Sequence, residues 1–228
     1  MSRAARTRAR SPLRLGVLAS GKGGNLRAIL EAIRRGRLKA AVVVVISDRP
    51  EAPALQVARA PGCETLTMDP KAYLTREQFD EAMAKELEQR RVELVVLAGY
   101  LRIVTPALIE PFRDRIMNIH PALLPSFPGL KAPWQAVEYG ARLAGCSVHF
   151  VTEEVDGGPL IIQAVIPVRP GEREPSLTKR IQEQEHRIYP RAIQLFAEGR
   201  LQVAGRTVRI KGLSAVKDAA LIYPPLTG

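Results

Sequence analysis

The sequence predicts an α/β protein built on a single doubly wound, mostly parallel sheet, with an antiparallel C-terminal extension. Three observations predict it. The apolar runs Leu13 to Ala19, Ala41 to Ile46 and Val92 to Ala98 are continuous rather than alternating, as in strands covered on both faces. Helically spaced segments separate them, and repeated strand-helix alternation implies parallel strands joined by right-handed crossovers. Further on, Ser147 to Thr152 and Leu160 to Val168 follow each other with no helix between them, which suits antiparallel pairing.

The first strand, Leu13 to Ala19, ends in Ser20-Gly21-Lys22-Gly23-Gly24-Asn25, after which Leu26, Ile29, Leu30 and Ile33 recur at helical spacing. Ala41 to Ile46 is β-branched and closed by Ser47-Asp48-Arg49-Pro50, a strand with its turn. Ala52 to Ala60 reads as helix and Glu64 to Thr67 as a short strand. Thr75 to Arg91 is a long amphipathic helix opened by a threonine cap, with Gln78 three residues on. After the strand Val92 to Ala98 comes Arg115-Ile116-Met117, leading into Asn118-Ile119-His120-Pro121 as a further strand. Pro121, Pro125, Pro128, Gly129 and Pro133 then make a long ordered loop, and loops of this length in compact domains are usually functional. Ser176 to Glu198 is a long helix, and Leu201 to Ile210 a hairpin around Gly205.

Composition narrows the class. The 228 residues, 46% hydrophobic, fit one domain at 13–210, with a disordered basic arm at 1–12 and a tail at 211–228. The longest apolar run, Ala40 to Ile46, falls far short of the ~20 residues that span a bilayer, so no transmembrane helix is expected. No apolar stretch follows the arginines at 3, 6, 8 and 10, which argues against a secretory signal. Net charge is +11, four of it from that arm. The bias suits anionic substrates or nonspecific nucleic-acid contact without choosing between them. Cys63 and Cys146 lack metal-ligand spacing, so reduced thiols in a cytoplasmic protein are expected and a zinc site is not.

Strand side chains two apart share a face, so Asn118 and His120 converge. An amide donor beside an imidazole suits a tetrahedral oxyanion formed in acyl transfer, because one group stabilises charge and the other also moves a proton. The same pair could instead satisfy neighbouring backbone at a strand end. Asp156, followed by Gly157-Gly158-Pro159, either bonds its own turn or stands beside His120 and favours the imidazolium. His149, in a strand, reads as a satisfied core or face residue, and His186 lies in the long helix. The glycine loop turns backbone N–H groups and a helix N-terminus toward an anion, most simply one phosphate. It completes neither a Walker A loop nor G-x-G-x-x-G, since Leu26 stands where the third glycine belongs. Leu101 to Val104, leaving a buried strand through Gly99, is either ordinary core or the wall of an apolar slot for a flat ring.

The motifs SGKGGNL, VVLAGYLRIV, NIHPALLPSFPG, GCSVHFVTEEVDGGPLIIQ and QEQEHRIYP occur in this order between about Leu13 and about Leu201. Together they resemble the folate-dependent glycinamide ribonucleotide (phosphoribosylglycinamide) formyltransferases of purine biosynthesis, whose fold is Rossmann-like. The N-x-H and Leu123-Leu124-Pro125 also resemble the wider superfamily, including methionyl-tRNA formyltransferase, whereas the glycine loop and the segment 184–186 point to the nucleotide enzyme. By this resemblance Gly23, Gly24 and Asn25 hold the substrate phosphate, and Gln182, Glu183, Gln184 and Glu185 meet the ribose and neighbouring groups. Arg76, Leu101, Arg102, Ile103, Val104, Thr152, Glu153, Glu154, Val155 and Asp156, with Asn118, hold 10-formyltetrahydrofolate. Asn118 and a protonated His120 stabilise the oxyanion, while Asp156 keeps His120 charged and helps relay protons. The implied partners are small molecules, with no metal, nucleic acid or membrane required and a homodimer left open. Gly24 stands where that family often has serine, and Lys131-Ala132-Pro133 where it often has histidines.

Overall fold

The computed structural model describes residues 11–213, so most of the basic arm and the tail from residue 214 lie outside the described residues. In chain order the elements are β1 (Leu13–Leu18), α1 (Gly24–Arg34), β2 (Ala40–Ser47), α2 (Pro53–Arg59), β3 (Thr65–Thr67), α3 (Arg76–Gln89), β4 (Leu94–Leu97), α4 (Pro106–Ile109), β5 (Ile116–His120), α5 (Ala132–Tyr139), β6 (Leu143–Phe150), β7 (Leu160–Pro167), α6 (Glu174–Ala197), β8 (Leu201–Ala204) and β9 (Thr207–Ile210). Strands β1 to β7 form one sheet in the order β3-β2-β1-β4-β5-β6-β7, and β8 and β9 make a separate hairpin. Pairing is parallel from β3 through β5 and antiparallel from β5 through β7. The predicted doubly wound sheet with an antiparallel extension is the fold observed.

Strand alternation splits the sheet into two faces. Leu15 and Val17 of β1, with Leu94 and Val96 of β4, pack under Leu26 and Ile29 of α1 and Tyr189 and Ile193 of α6. Leu18, Val95 and Leu97 point the other way, onto Phe79, Met83 and Leu87 of α3 and Leu108 of α4. Each buried Leu, Ile or Phe side chain contributes about 1.5–3 kcal/mol relative to exposure, so these two layers hold the sheet flanked on both sides. Helix α3 comes closest at Gly16, where an added Cβ would lie 2.5 Å from the Leu87 side chain. Its start is capped as expected: Thr75 Oγ1 accepts from the Gln78 N–H, and Gln78 Oε1 reaches back to accept from the Leu74 N–H.

Four details depart from the sequence reading. Helix α4 was not anticipated, since four residues show too little periodicity to register. The loop after His120 ends earlier than expected, because Pro133 sits in the first turn of α5, where its missing N–H costs nothing. Strand β6 begins at Leu143 rather than Ser147, since Leu143 to Cys146 pair with β7 through Gly145, where a Cβ would fall 1.9 Å from the Ala164 carbonyl oxygen. Finally, Ala41, Val42 and Val43 of β2 are only half-buried, so that strand is covered on both faces only in its C-terminal half. Cys63 and Cys146 are unpaired, and burial, aided by Glu185, pushes the Cys146 thiol up to about 12.

Candidate active site

The strand order places β1 and β4 side by side at the point where the chain, having wound outward through β2 and β3, crosses back to build the other half. Ligands of open α/β sheets bind in the crevice beyond the carboxyl ends of the strands at such a switch point. Here the crevice is framed by the glycine loop after β1 and the segment 99–104 after β4. The two are tied together: the Ser20 N–H donates to the Gly99 carbonyl at 3.1 Å, and Ser20 Oγ accepts from the Leu101 N–H at 3.1 Å.

One strand further on, β5 ends in Asn118 and His120. Both side chains meet Asp156, carried in by the turn between β6 and β7. Asn118 Nδ2 lies 3.4 Å from Asp156 Oδ1, and His120 Nδ1 lies 3.3 Å from Asp156 Oδ2. Asp156 has φ 53°, a left-handed conformation that aspartate tolerates better than most residues. The long loop closes over this group. The Phe127 carbonyl accepts from His120 Nε2 at 2.8 Å, and the Gly129 N–H donates to Asp156 Oδ2 at 2.8 Å. The Phe127 carbonyl, at the shorter distance, takes the proton of a neutral ring on Nε2; the carboxylate likewise only accepts, so a second proton on Nδ1 makes the imidazolium that donates to both.

His149 belongs to the same cluster, although the sequence reading took it for a core or face residue. It pairs with Asn118 across the β5–β6 ladder, its Nε2 lying 3.2 Å from Asn118 Nδ2 and 3.5 Å from Asp156 Oδ1. Its Nδ1 donates to the Phe150 carbonyl at 2.9 Å. Only the register between β5 and β6 reveals this neighbour, and no local pattern marks it.

Burial dominates the electrostatics. It holds the His120 imidazole below its ordinary pKa, and the Phe127 carbonyl and the Asp156 charge offset this only in part. For Asp156, burial pushes upward and is the largest single influence. The hydrogen bonds from His149 and from the Gly129 N–H, together with both imidazoles, outweigh it and leave the carboxyl below its usual range. The expected carboxylate-imidazole pairing is therefore present, with burial opposing the ring charge that the carboxylate favours.

The glycine loop and α6 meet on the other side of the crevice. Gly23 has φ 77°, and a Cβ there would lie 2.9 Å from the Ala54 Cα. At Gly24 a Cβ would sit 3.1 Å from His186 Nε2. Helix α1 begins with no side-chain cap hydrogen bond and no acidic residue in its first turn. Asn25 Nδ2 donates to Glu185 Oε2 at 2.9 Å, while Asn25 Oδ1 is buried without a hydrogen-bond partner among the described residues. Burial raises the Glu185 pKa against the opposing Asn25 bond. Of the expected segment 182–185, Glu185 faces inward, Gln184 accepts from Arg187 Nη1, and Gln182 and Glu183 lie on the exposed face of α6.

Residues 13–193 match the family model described as formyl transferase. The chain is 45% identical over 187 residues to the phosphoribosylglycinamide formyltransferase of Escherichia coli (strain K12), covering 82% of this chain and 88% of that protein. This chain belongs to the phosphoribosylglycinamide formyltransferase family. Its fold overlays the glycinamide ribonucleotide transformylase 1 of Symbiobacterium toebii with a TM-score of 0.87 and 53% identity, covering 89% of this chain and 95% of that one. It is also 41% identical over 84% of its length to the trifunctional purine biosynthetic protein adenosine-3 of Gallus gallus, of which it spans 19%.

In this formyltransferase the positions expected to hold the folate fall mainly in two segments with exposed residues. Leu101 and Ile103 are 55% and 56% exposed, whereas Val104 is buried. Arg76 Nη2 donates to the Ile103 carbonyl at 2.9 Å, and the Arg102 guanidinium lies over the Phe79 ring at 5.1 Å. The second segment, Thr152 to Val155, is exposed and folds on itself: Thr152 Oγ1 donates to the Glu154 carbonyl, and Glu154 pairs with Arg206 at 3.3 Å. Among the described residues no group of three or more His, Cys, Asp or Glu is arranged to hold a metal ion, and no helix is long and apolar enough to cross a membrane.

Proposed function

We propose that this formyltransferase acts in the cytoplasm and moves the formyl group of 10-formyltetrahydrofolate onto the amine of glycinamide ribonucleotide, in de novo purine biosynthesis, with Asn118, His120 and Asp156 carrying the chemistry. The observation that bears this reading is the meeting of an amide and an imidazole on one carboxylate, at 3.4 and 3.3 Å. The substrate amine attacks the formyl carbon, forming the new C–N bond and turning the carbonyl into an oxyanion. His120 takes the amine's proton, and the adjacent Asp156 carboxylate stabilises the imidazolium so formed. Asn118 Nδ2 and the imidazolium hold the oxyanion until it collapses. Collapse breaks the bond to the folate nitrogen, which leaves with the proton that His120 returns. The substrate phosphate rests on the backbone of Gly23, Gly24 and Asn25, and Glu185 with Asn25 meets the ribose. The folate lies between Leu101 to Val104 with Arg76 and the turn Thr152 to Asp156.

The test is formyl transfer from 10-formyltetrahydrofolate to glycinamide ribonucleotide, compared with transfer to methionyl-tRNA. Turnover with the first and none with the second is expected, and the reverse would reassign the chain within the formyltransferases. Phosphate placement has its own check. Gly24→Val puts a branched side chain onto the helix N-terminus and toward His186, and it should raise the KM for glycinamide ribonucleotide about tenfold or more, the worth of one lost charge-assisted hydrogen bond. Deleting residues 1 to 11 should leave that KM nearly unchanged, because a backbone anion site is less screened than a solvated basic surface. A large rise from the deletion with none at Gly24 would move phosphate recognition to the arm.

A further inference from the structure

The catalytic strand does not stop at His120 in the cross-strand direction. In the antiparallel part of the sheet His120 pairs with Ser147 on β6, and Ser147 pairs with Gln163 on β7. Directly opposed residues share a face, so His120, Ser147 and Gln163 form one row running from the reacting group to the outermost strand. The middle member is saturated. Ser147 Oγ donates to the Ala122 carbonyl at 2.7 Å and accepts from the Leu124 N–H at 3.0 Å. Gln163 Nε2 donates both to Ser147 Oγ at 2.9 Å and to the Leu124 carbonyl at 3.0 Å. The row therefore grips residues 122–124, the base of the loop that continues to Phe127 on His120 and Gly129 on Asp156.

We propose that Gln163 is a positioning residue for the formyl transfer: its amide anchors the loop base to β7 and so fixes the Phe127 carbonyl on the His120 ring and the Gly129 N–H on Asp156. Two features single out the glutamine. It is the only side chain of β7 with a hydrogen bond to this loop among the described residues, and it lies on an exposed position of an edge strand, so replacing it leaves both core layers intact. Its two bonds also end on acceptors, the Leu124 carbonyl and a hydroxyl whose proton is already committed to Ala122. An acceptor at position 163 would face oxygen on both sides.

The inference rests on the catalytic reading of His120, and the experiment separates the two. Gln163→Leu keeps the size and removes the donor, Gln163→Glu replaces the donor with an acceptor, and Gln163→Lys restores a donor. The expected results are a kcat lower by about tenfold in the Leu and Glu variants, little change in either substrate's KM, an unfolding midpoint close to the parent's, and recovery in the Lys variant. The decisive readout is the 15N spectrum of the His120 ring at pH 8. The parent should show the Nε2–H tautomer that the Phe127 carbonyl selects, and the Leu and Glu variants a mixture of tautomers. A ring unchanged in the Leu and Glu variants would overturn the positioning role, whatever turnover did. A mixed ring with parental turnover would uphold the positioning and refute the catalytic role of His120.

Discussion

A folded His120→Ala protein will transfer formyl groups about 100-fold to 1,000-fold more slowly than the parent, the usual cost of removing a donor that acts mainly in the transition state. The imidazole is 4% exposed and its two nitrogens face Asp156 and the Phe127 carbonyl, contacts that alanine cannot make. The loss should fall on kcat rather than on the KM of either substrate, because the ring is read here as meeting charge that develops only during attack. Circular dichroism would establish that the variant folds, and steady-state kinetics would measure the loss. Near-parental turnover in a folded His120→Ala protein would remove the imidazole from the mechanism.

Asp156→Asn should lower the rate at neutral pH on the order of 100-fold, the lower range for a lost acid-base contribution, while leaving the backbone in place. Asparagine tolerates the left-handed conformation at φ 53°, and its amide oxygen can still accept from the Gly129 N–H, so the change isolates the charge. The direction of the pH effect follows from the site. Burial already holds the His120 pKa low, and the carboxylate is one of the two influences that raise it. Without the carboxylate the imidazole should titrate at still lower pH, and the imidazolium formed on attack loses its partner. An NMR titration of His120 in both proteins measures this, and an identical pKa would reduce Asp156 to a turn residue.

Much of this molecule follows from short stretches of chain, and the physical reason is that backbone geometry is local. Period-2 alternation alone put Asn118 and His120 on one face, and strand β5 carries them so. The threonine cap before Arg76 and the glycine loop before α1 were equally visible, since a cap spans three residues and a tight turn needs glycine wherever it occurs. Neighbours brought together by strand pairing were not visible. His149 reaches Asn118 because β5 and β6 pair in one register; a slip of one residue would send it to the other face. The same holds for the row through Ser147 to Gln163 and for Phe127 and Gly129, whose backbone groups carry no signature in their side chains. The direction of the His120 shift also required the fold, because sequence shows that an acid is available but not how deeply the pair is buried. Local order along the chain thus determined the fold class and the two residues of the N-x-H motif. The contacts that turn them into a site depend on hydrogen bonds between strands and loops distant in sequence, and only the tertiary structure decided those.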